Sequence, residues 1–342
     1  MIAAGRALRL TFRSFVTLAL LVAAACAAVP PPGPVGAQDV AVQIRSSALP
    51  LRLDEPSERR VGRLIWRGGI AMTANSRNFG GWSDLDVSTD GRTLTTISDE
   101  GAWLTAIIDY DDKSNLAGLS AGRIGSLRGL DGQPLADKVM ADAESMARLP
   151  DGSWLIAFER RHRFWRYSTI DATPVPFEGP VELPRQPANG GVEALAALAD
   201  GRIVAISEEL LDKPGSLMGW IGTPAEGGRY TWSTFSYAKT ASFKPTALTQ
   251  LPDGSLATLE RHFDGVNVHC RVMRFPLAEL KTGATVAATE LARLSSSSYL
   301  IDNMEGLSAT KGPRGETLLW LISDDNFNPL QRNILLLFEL AP

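Results

Sequence analysis

The stretch "FGGWSDLDVSTDGRTLTTISDEG" (79–101) runs a short apolar segment into an Asp-Gly pair, then a second apolar segment into an acidic end. The arrangement returns four times, with a different turn in place of Asp-Gly in the last copy. "AESMARLPDGSWLIAFERRH" starts at Ala143, "VEALAALADGRIVAISEEL" at Val192, "TALTQLPDGSLATLERHF" at Thr246 and "MEGLSATKGPRGETLLWLISDDNF" at Met304. Five copies at spacings of roughly 50 to 60 residues mark a repeat array. Apolar runs this short, divided by Gly, Pro and Asp-Gly, are strands, and Asp-Gly between two of them signals a hairpin.

Small antiparallel sheets repeated about an axis make a β-propeller. The expected fold is all-β, a six-bladed propeller. Five blades are the visible copies. The sixth is built from "RLIWRGGIAMTA" (63–74) paired with the last strand, "NILLLFEL" (333–340), which also closes the ring and removes an exposed edge.

The chain has 342 residues, 44% hydrophobic and 21% charged, so it can bury a core. A formal charge of −4 leaves no footprint for nucleic acid. Arg6, Arg9 and Arg13 precede "FVTLALLVAAACAAV" (15–29) and the Pro-rich "PPPGPVGAQDV" (30–40). A basic start, a short apolar run and small residues read as an export signal, not a membrane span. Cleavage is expected after Ala37, or before Cys26, which would then carry a lipid anchor. The expected division is 1–37 for the signal and processing region, 38–60 for an extension and 61–342 for the propeller. Without Cys26 only Cys270 remains, so the exported chain has no internal disulfide and rests on its core alone. A periplasmic or envelope-associated monomer is expected.

Corresponding positions of each copy should form a ring on the axis. Asp84, Glu144, Glu193 and Glu305 take the lead position, and Thr246 opens the ring in the fourth copy. Converging carboxylates repel unless a cation joins them, and Ca2+ suits an all-oxygen site. Asn189 and Asn303 add neutral oxygens. The second ring, at the strand ends, holds Asp99, Glu159, Glu208, Glu260 and Asp324. Of these, Glu159, Glu260 and Asp324 are the candidate general bases. Arg160, Arg161 and His162 in "ERRH", with Arg261 and His262 in "ERH", are candidates to grip a small anionic ester or phosphoester. For any single acid in this set, capping of a strand start is the simpler role. No zinc spacing, Walker loop or nucleophile elbow is present.

"FGGWSDLDVSTDGRTLTTISDEGAW", "NGGVEALAALADGR" and "DNMEGLSATKGPRGETLLWLISDDNFNPLQRNILLLFEL" resemble the phytase-like family, also called "esterase-like activity of phytase". Where many members read "SGL" and "SDRG", this chain has "SDLD" and "SDEG". The resemblance implies an exported bacterial propeller with phosphoester or ester hydrolase activity. The Glu of "VEAL" and "MEGL" is also similar to the early-strand Glu of calcium-dependent lactonase and strictosidine synthase-like propellers, which implies Glu193 and Glu305 as metal ligands. The competing expectation is a non-catalytic envelope propeller that binds a ligand or partner protein and uses its cation structurally, since fold does not fix function.

Overall fold

A computed structural model describes residues 39–342 apart from position 241. The export signal, its cleavage site and Cys26 lie outside the described residues.

The turn chemistry repeats five times. Gly91, Gly152, Gly201, Gly254 and Gly315 all take positive φ. Each donates its N–H to the carbonyl three residues back, as Gly152 does to Leu149 at 2.8 Å. In four copies the turn Asp accepts the N–H two residues on, as Asp151 does from Ser153 at 3.0 Å. These hairpins join the innermost strand of each sheet to the next.

Blade I runs outward through Trp82–Val87, Thr93–Ser98, Ala102–Tyr110 and Leu116–Ser126. Blade II holds Ala143–Arg148, Trp154–Phe158, Arg163–Tyr167 and Val175–Phe177. Blade III holds Val192–Ala197, Ile203–Lys213, Ser216–Pro224 and Tyr230–Ala238, with Thr285–Val286 added in parallel. Blade IV holds Lys244–Gln250, Leu256–Phe263, Val268–Phe275 and Thr289–Ser295. Blade V runs from Asn303–Lys311 through Thr317–Asp324 and Asn333–Leu340 to Leu64–Ala74. The innermost strands adjoin in the order I, II, III, IV, V, and V returns to I.

The propeller therefore has five blades, not six. Leu64–Ala74 does pair with Asn333–Leu340, as expected of a ring closed through its ends. The pair is not a separate sheet, because Asn333–Leu340 also bonds to Thr317–Asp324 of the fifth copy. Only one strand follows that copy's hairpin, so the chain start supplies the outer strands.

Five buried apolar clusters fill the five gaps between blades. Ile97, Trp103, Trp154 and Phe158 join I to II. Leu155, Phe164, Leu195 and Trp220 join II to III. Phe235, Leu248 and Phe275 join III to IV. The remaining clusters lie between IV and V around Leu259 and Phe338, and between V and I around Leu104 and Trp320.

Val40–Val42 pairs with Leu116–Ser126 at the outer edge of blade I, and Ile44–Leu49 pairs with Leu64–Ala74 at the outer edge of blade V. This clasp spans the junction where the ring closes. Val42 and Ile44 pack against the core between those blades. Removing residues 39–49 should lower the melting temperature by about 5 °C, from the lost burial and ladder. Scanning calorimetry checks this; an unchanged melting temperature would mean that the clasp holds nothing.

A candidate cation site at the axial cavity

The geometry of the site begins with a β-bulge. In every innermost strand the register to its neighbour slips by one residue. The residues skipped are Ser83, Glu144, Glu193, Thr246 and Glu305. A bulged residue is unpaired and its side chain is re-aimed, and these five line one cavity of about 600 Å3 at the end of the axis. Glu144, Glu193 and Glu305 thus occupy equivalent places.

Asp84 does not, because the bulge in blade I falls on Ser83. The Asp84 carboxylate is buried instead, accepting the N–H of Leu85 at 2.8 Å and of Met146 at 2.9 Å, with Leu307 as a further backbone donor. Burial pushes its carboxyl well above the usual range, against the pull of those amides. The assignment of Asp84 to the cation ring is corrected on this ground.

The strand ends form the second ring, one backbone contact per blade. Asp99 N–H donates to Gly81 C=O, Glu159 to Asp142 and Glu208 to Gly191, at 2.8 to 3.0 Å. The matching ladder pairs are Arg261 with Lys244 and Asp324 with Asn303. The ring is therefore Asp99, Glu159, Glu208, Arg261 and Asp324, all lining the cavity. Glu260 is displaced from it by one residue. Its carboxylate accepts two guanidinium bonds from Arg271, at 2.8 and 2.5 Å, and the Tyr237 hydroxyl at 2.6 Å. Glu260 is a buried structural anion, and its place as a candidate base is corrected.

Of the expected anion-gripping residues, Arg261 alone lines the cavity. It lies 3.1 Å from the Glu305 carboxylate. Arg160, held at positive φ, turns back to pair with Asp142. Arg161 does not line the cavity; its backbone N–H donates to Glu159 C=O. His162 lies 2.9 Å from the Pro187 carbonyl. His262 points to the opposite face of its strand, against His269 and Phe243.

Three residues missed by the repeat matter here: Asp142, Lys138 and Lys244. Asp142 ends the short helix Lys138–Ala141, one residue before its copy begins. Its carboxylate, Glu144 and Glu159 bring oxygens within 4.8 Å of one another. Lys138 donates to Asp99 at 2.6 Å and pairs with Asp142 at 2.7 Å. Lys244 lies 3.1 Å from Glu208 and also pairs with Glu209. The signal for Asp142 lies in "ADAESM", one residue ahead of the repeating motif.

Glu144 and Glu193 accept no hydrogen bond from any described residue. Eight carboxylates line the cavity against Lys244 and Arg261. The electrostatics follow from this crowding. Burial and then the nearby Asp142 push Glu144 well above the usual carboxylate range and Glu159 up to about 7. Burial and then Glu208 raise Glu193 likewise, and burial and then Asp99 raise Asp324. Hard oxygen donors crowded to this degree fit a hard divalent cation. Asn189 and Asn303 also line the cavity; the Asn303 amide is already donated to Glu305 at 2.7 Å.

Gly80 and Gly81, both at positive φ, seat the opening motif against the closing one. A Cβ on Gly81 would stand 2.5 Å from Asp99 and 2.6 Å from Phe327. Gly81 N–H donates to Asp325 at 2.9 Å.

A family model described as "Phytase-like: Esterase-like activity of phytase" matches residues 77–327. No curated protein matches significantly. Among solved structures, the chain is similar to a protein of unknown function from Dyadobacter fermentans, at 11% identity over 90% of this chain and 95% of that one, TM-score 0.41. A gluconolactonase from Xanthomonas campestris matches at 12% over 89% and 98%, TM-score 0.41. An endo-arabinase from Bacteroides thetaiotaomicron matches at 10% over 76% and 94%, TM-score 0.43. The propeller fold itself is defined by the strand pairing.

Proposed function

We propose, from the premise that the chain belongs to the phytase-like ("esterase-like activity of phytase") family, that this propeller is exported and hydrolyses an ester or phosphoester with a divalent cation, Ca2+ first, in its axial cavity. The observation that carries the reading is the convergence of the buried Asp142 carboxylate with Glu144 and Glu159, the latter two at the wall of that cavity. These three would hold the ion, with Glu193 of the next blade beside them. When bound, such a cation polarises a substrate oxygen and lowers the pKa of water.

The chain's own groups divide the remaining tasks. Asp324 and Asp99 line the cavity from blades V and I, placing carboxylates where a proton can be taken from water. Arg261 and Lys244, the cationic side chains of the lining, orient an anionic oxygen. Without a cation, an anionic substrate would meet a surplus of carboxylates and be repelled.

Purified mature protein should cleave p-nitrophenyl acetate or p-nitrophenyl phosphate in Ca2+, stop in chelator and resume when Ca2+ returns. Silence on both substrates, with melting still raised by Ca2+, would favour the ligand-binding reading over hydrolysis.

A further inference from the structure

Among the residues that line the axial cavity, only Phe263 and Val268 have hydrocarbon side chains. They are directly paired across the hairpin between Leu256–Phe263 and Val268–Phe275. Strand alternation places Arg261 and Phe263 on one face, toward the cavity, and His262 on the other. The deeper part of the hairpin is committed to the core through Leu256, Leu259 and Val272. Its tip is not. Phe263 is 56% exposed and Val266, in the connecting turn, is 84% exposed. An isolated exposed apolar residue needs no explanation. This one is different in place: an aromatic ring two residues from Arg261, paired with Val268 at the wall of a cavity whose other lining residues are all polar or charged.

From this juxtaposition, and resting on the hydrolase reading above, we infer that the cavity takes an amphiphilic substrate. The polar head, a phosphoester or carboxylic ester, lies toward the carboxylate wall of blades II and III. A medium-length alkyl or acyl chain lies along Phe263 and Val268 of blade IV. Phe263 is then a specificity-determining residue. It sets which ester enters and leaves the cation site untouched, because it stands on a different blade from Asp142, Glu144 and Glu159. A chain laid on a half-exposed ring is only partly withdrawn from water, so the gain is modest. It should be about tenfold in affinity, about 1.4 kcal/mol.

The test is calorimetric titration of the full mature protein in Ca2+ with methyl phosphate and with octyl phosphate below its micelle concentration, after Ca2+ itself has been titrated. Octyl phosphate should bind about tenfold more tightly. Phe263→Ser and Val268→Ser should each reduce that preference severalfold with unchanged Ca2+ affinity, and Phe263→Leu should keep most of it. Equal binding of the two phosphates overturns the inference and leaves the hydrolase reading standing. No binding of either overturns it as well, and an absent Ca2+ titration would show that the reading beneath it had failed. Binding to phosphatidylcholine vesicles without a preference for monomeric octyl phosphate also overturns it, since the hairpin would then be a membrane-docking tip.

Discussion

Glu260→Ala should lower the free energy of unfolding by about 3–5 kcal/mol, the range for stripping one partner from a buried ion pair. The side chains of Arg271 and Glu260 are only 2% and 4% exposed. Arg271 also lies over the Phe243 ring at 4.2 Å and donates to Thr240 C=O at 3.2 Å. With the carboxylate gone, the buried guanidinium keeps only the Thr240 carbonyl and the half-exposed Glu290 carboxylate 3.9 Å away, and the Tyr237 hydroxyl loses its acceptor apart from contact with Thr258. Urea denaturation at neutral pH measures the loss. The double change Glu260→Met with Arg271→Met should recover most of it, because no charge is then left alone. A Glu260→Ala protein with an unaltered unfolding curve and abolished hydrolysis would return Glu260 to the chemistry.

Metal-free protein should lose stability as pH rises from about 5 to 7.5, and Ca2+ should restore it at the upper end. The sign follows from proton counting. Glu159 moves from an ordinary 4.5 up to about 7 in the folded chain, and Glu144, Glu193 and Asp324 move in the same direction. Between those values the folded state binds more protons than the unfolded one, so stability is fully present below the unfolded pKa and falls as pH climbs through the folded one. The loss should be on the order of a few kcal/mol. A cation binds the ionised carboxylates and stabilises the fold by mass action, so its effect on melting should be larger at pH 7.5 than at pH 5. Glu144→Gln should blunt both the pH slope and the Ca2+ response. Melting curves indifferent to pH and Ca2+ alike would remove the cation from the account.

The repeat made the architecture legible. Each copy became one blade, each Asp-Gly became the same turn, and Leu64–Ala74 met Asn333–Leu340 in one sheet. The blade count was not legible, because sequence shows which segments are strands but not that Asn333–Leu340 would pair on both sides. The site was legible in three copies and shifted by one residue in two. In blades I and IV acidity points to Asp84 and Glu260, whereas the structurally equivalent residues are Ser83 and Arg261. The sounder marker is the apolar residue two positions after the bulge: Leu85, Met146, Leu195, Leu248 and Leu307. Those side chains are fixed by packing, whereas the bulged position varies freely between Glu, Thr and Ser.

The same five residues border a second, small cavity of about 80 Å3 further along the axis. Between it and the large one stands Asp84, drawing together the backbones of blades I, II and V. A carboxylate tied to the amides of three blades thus stands on the axis, next in sequence to Ser83 of the large cavity and Leu85 of the small one. Under the proposed hydrolysis, substrate and products would pass the hairpin of blade IV, where Phe263 and Val268 line the large cavity. A product that lingered there would block the next arrival, and turnover would be tied to its release.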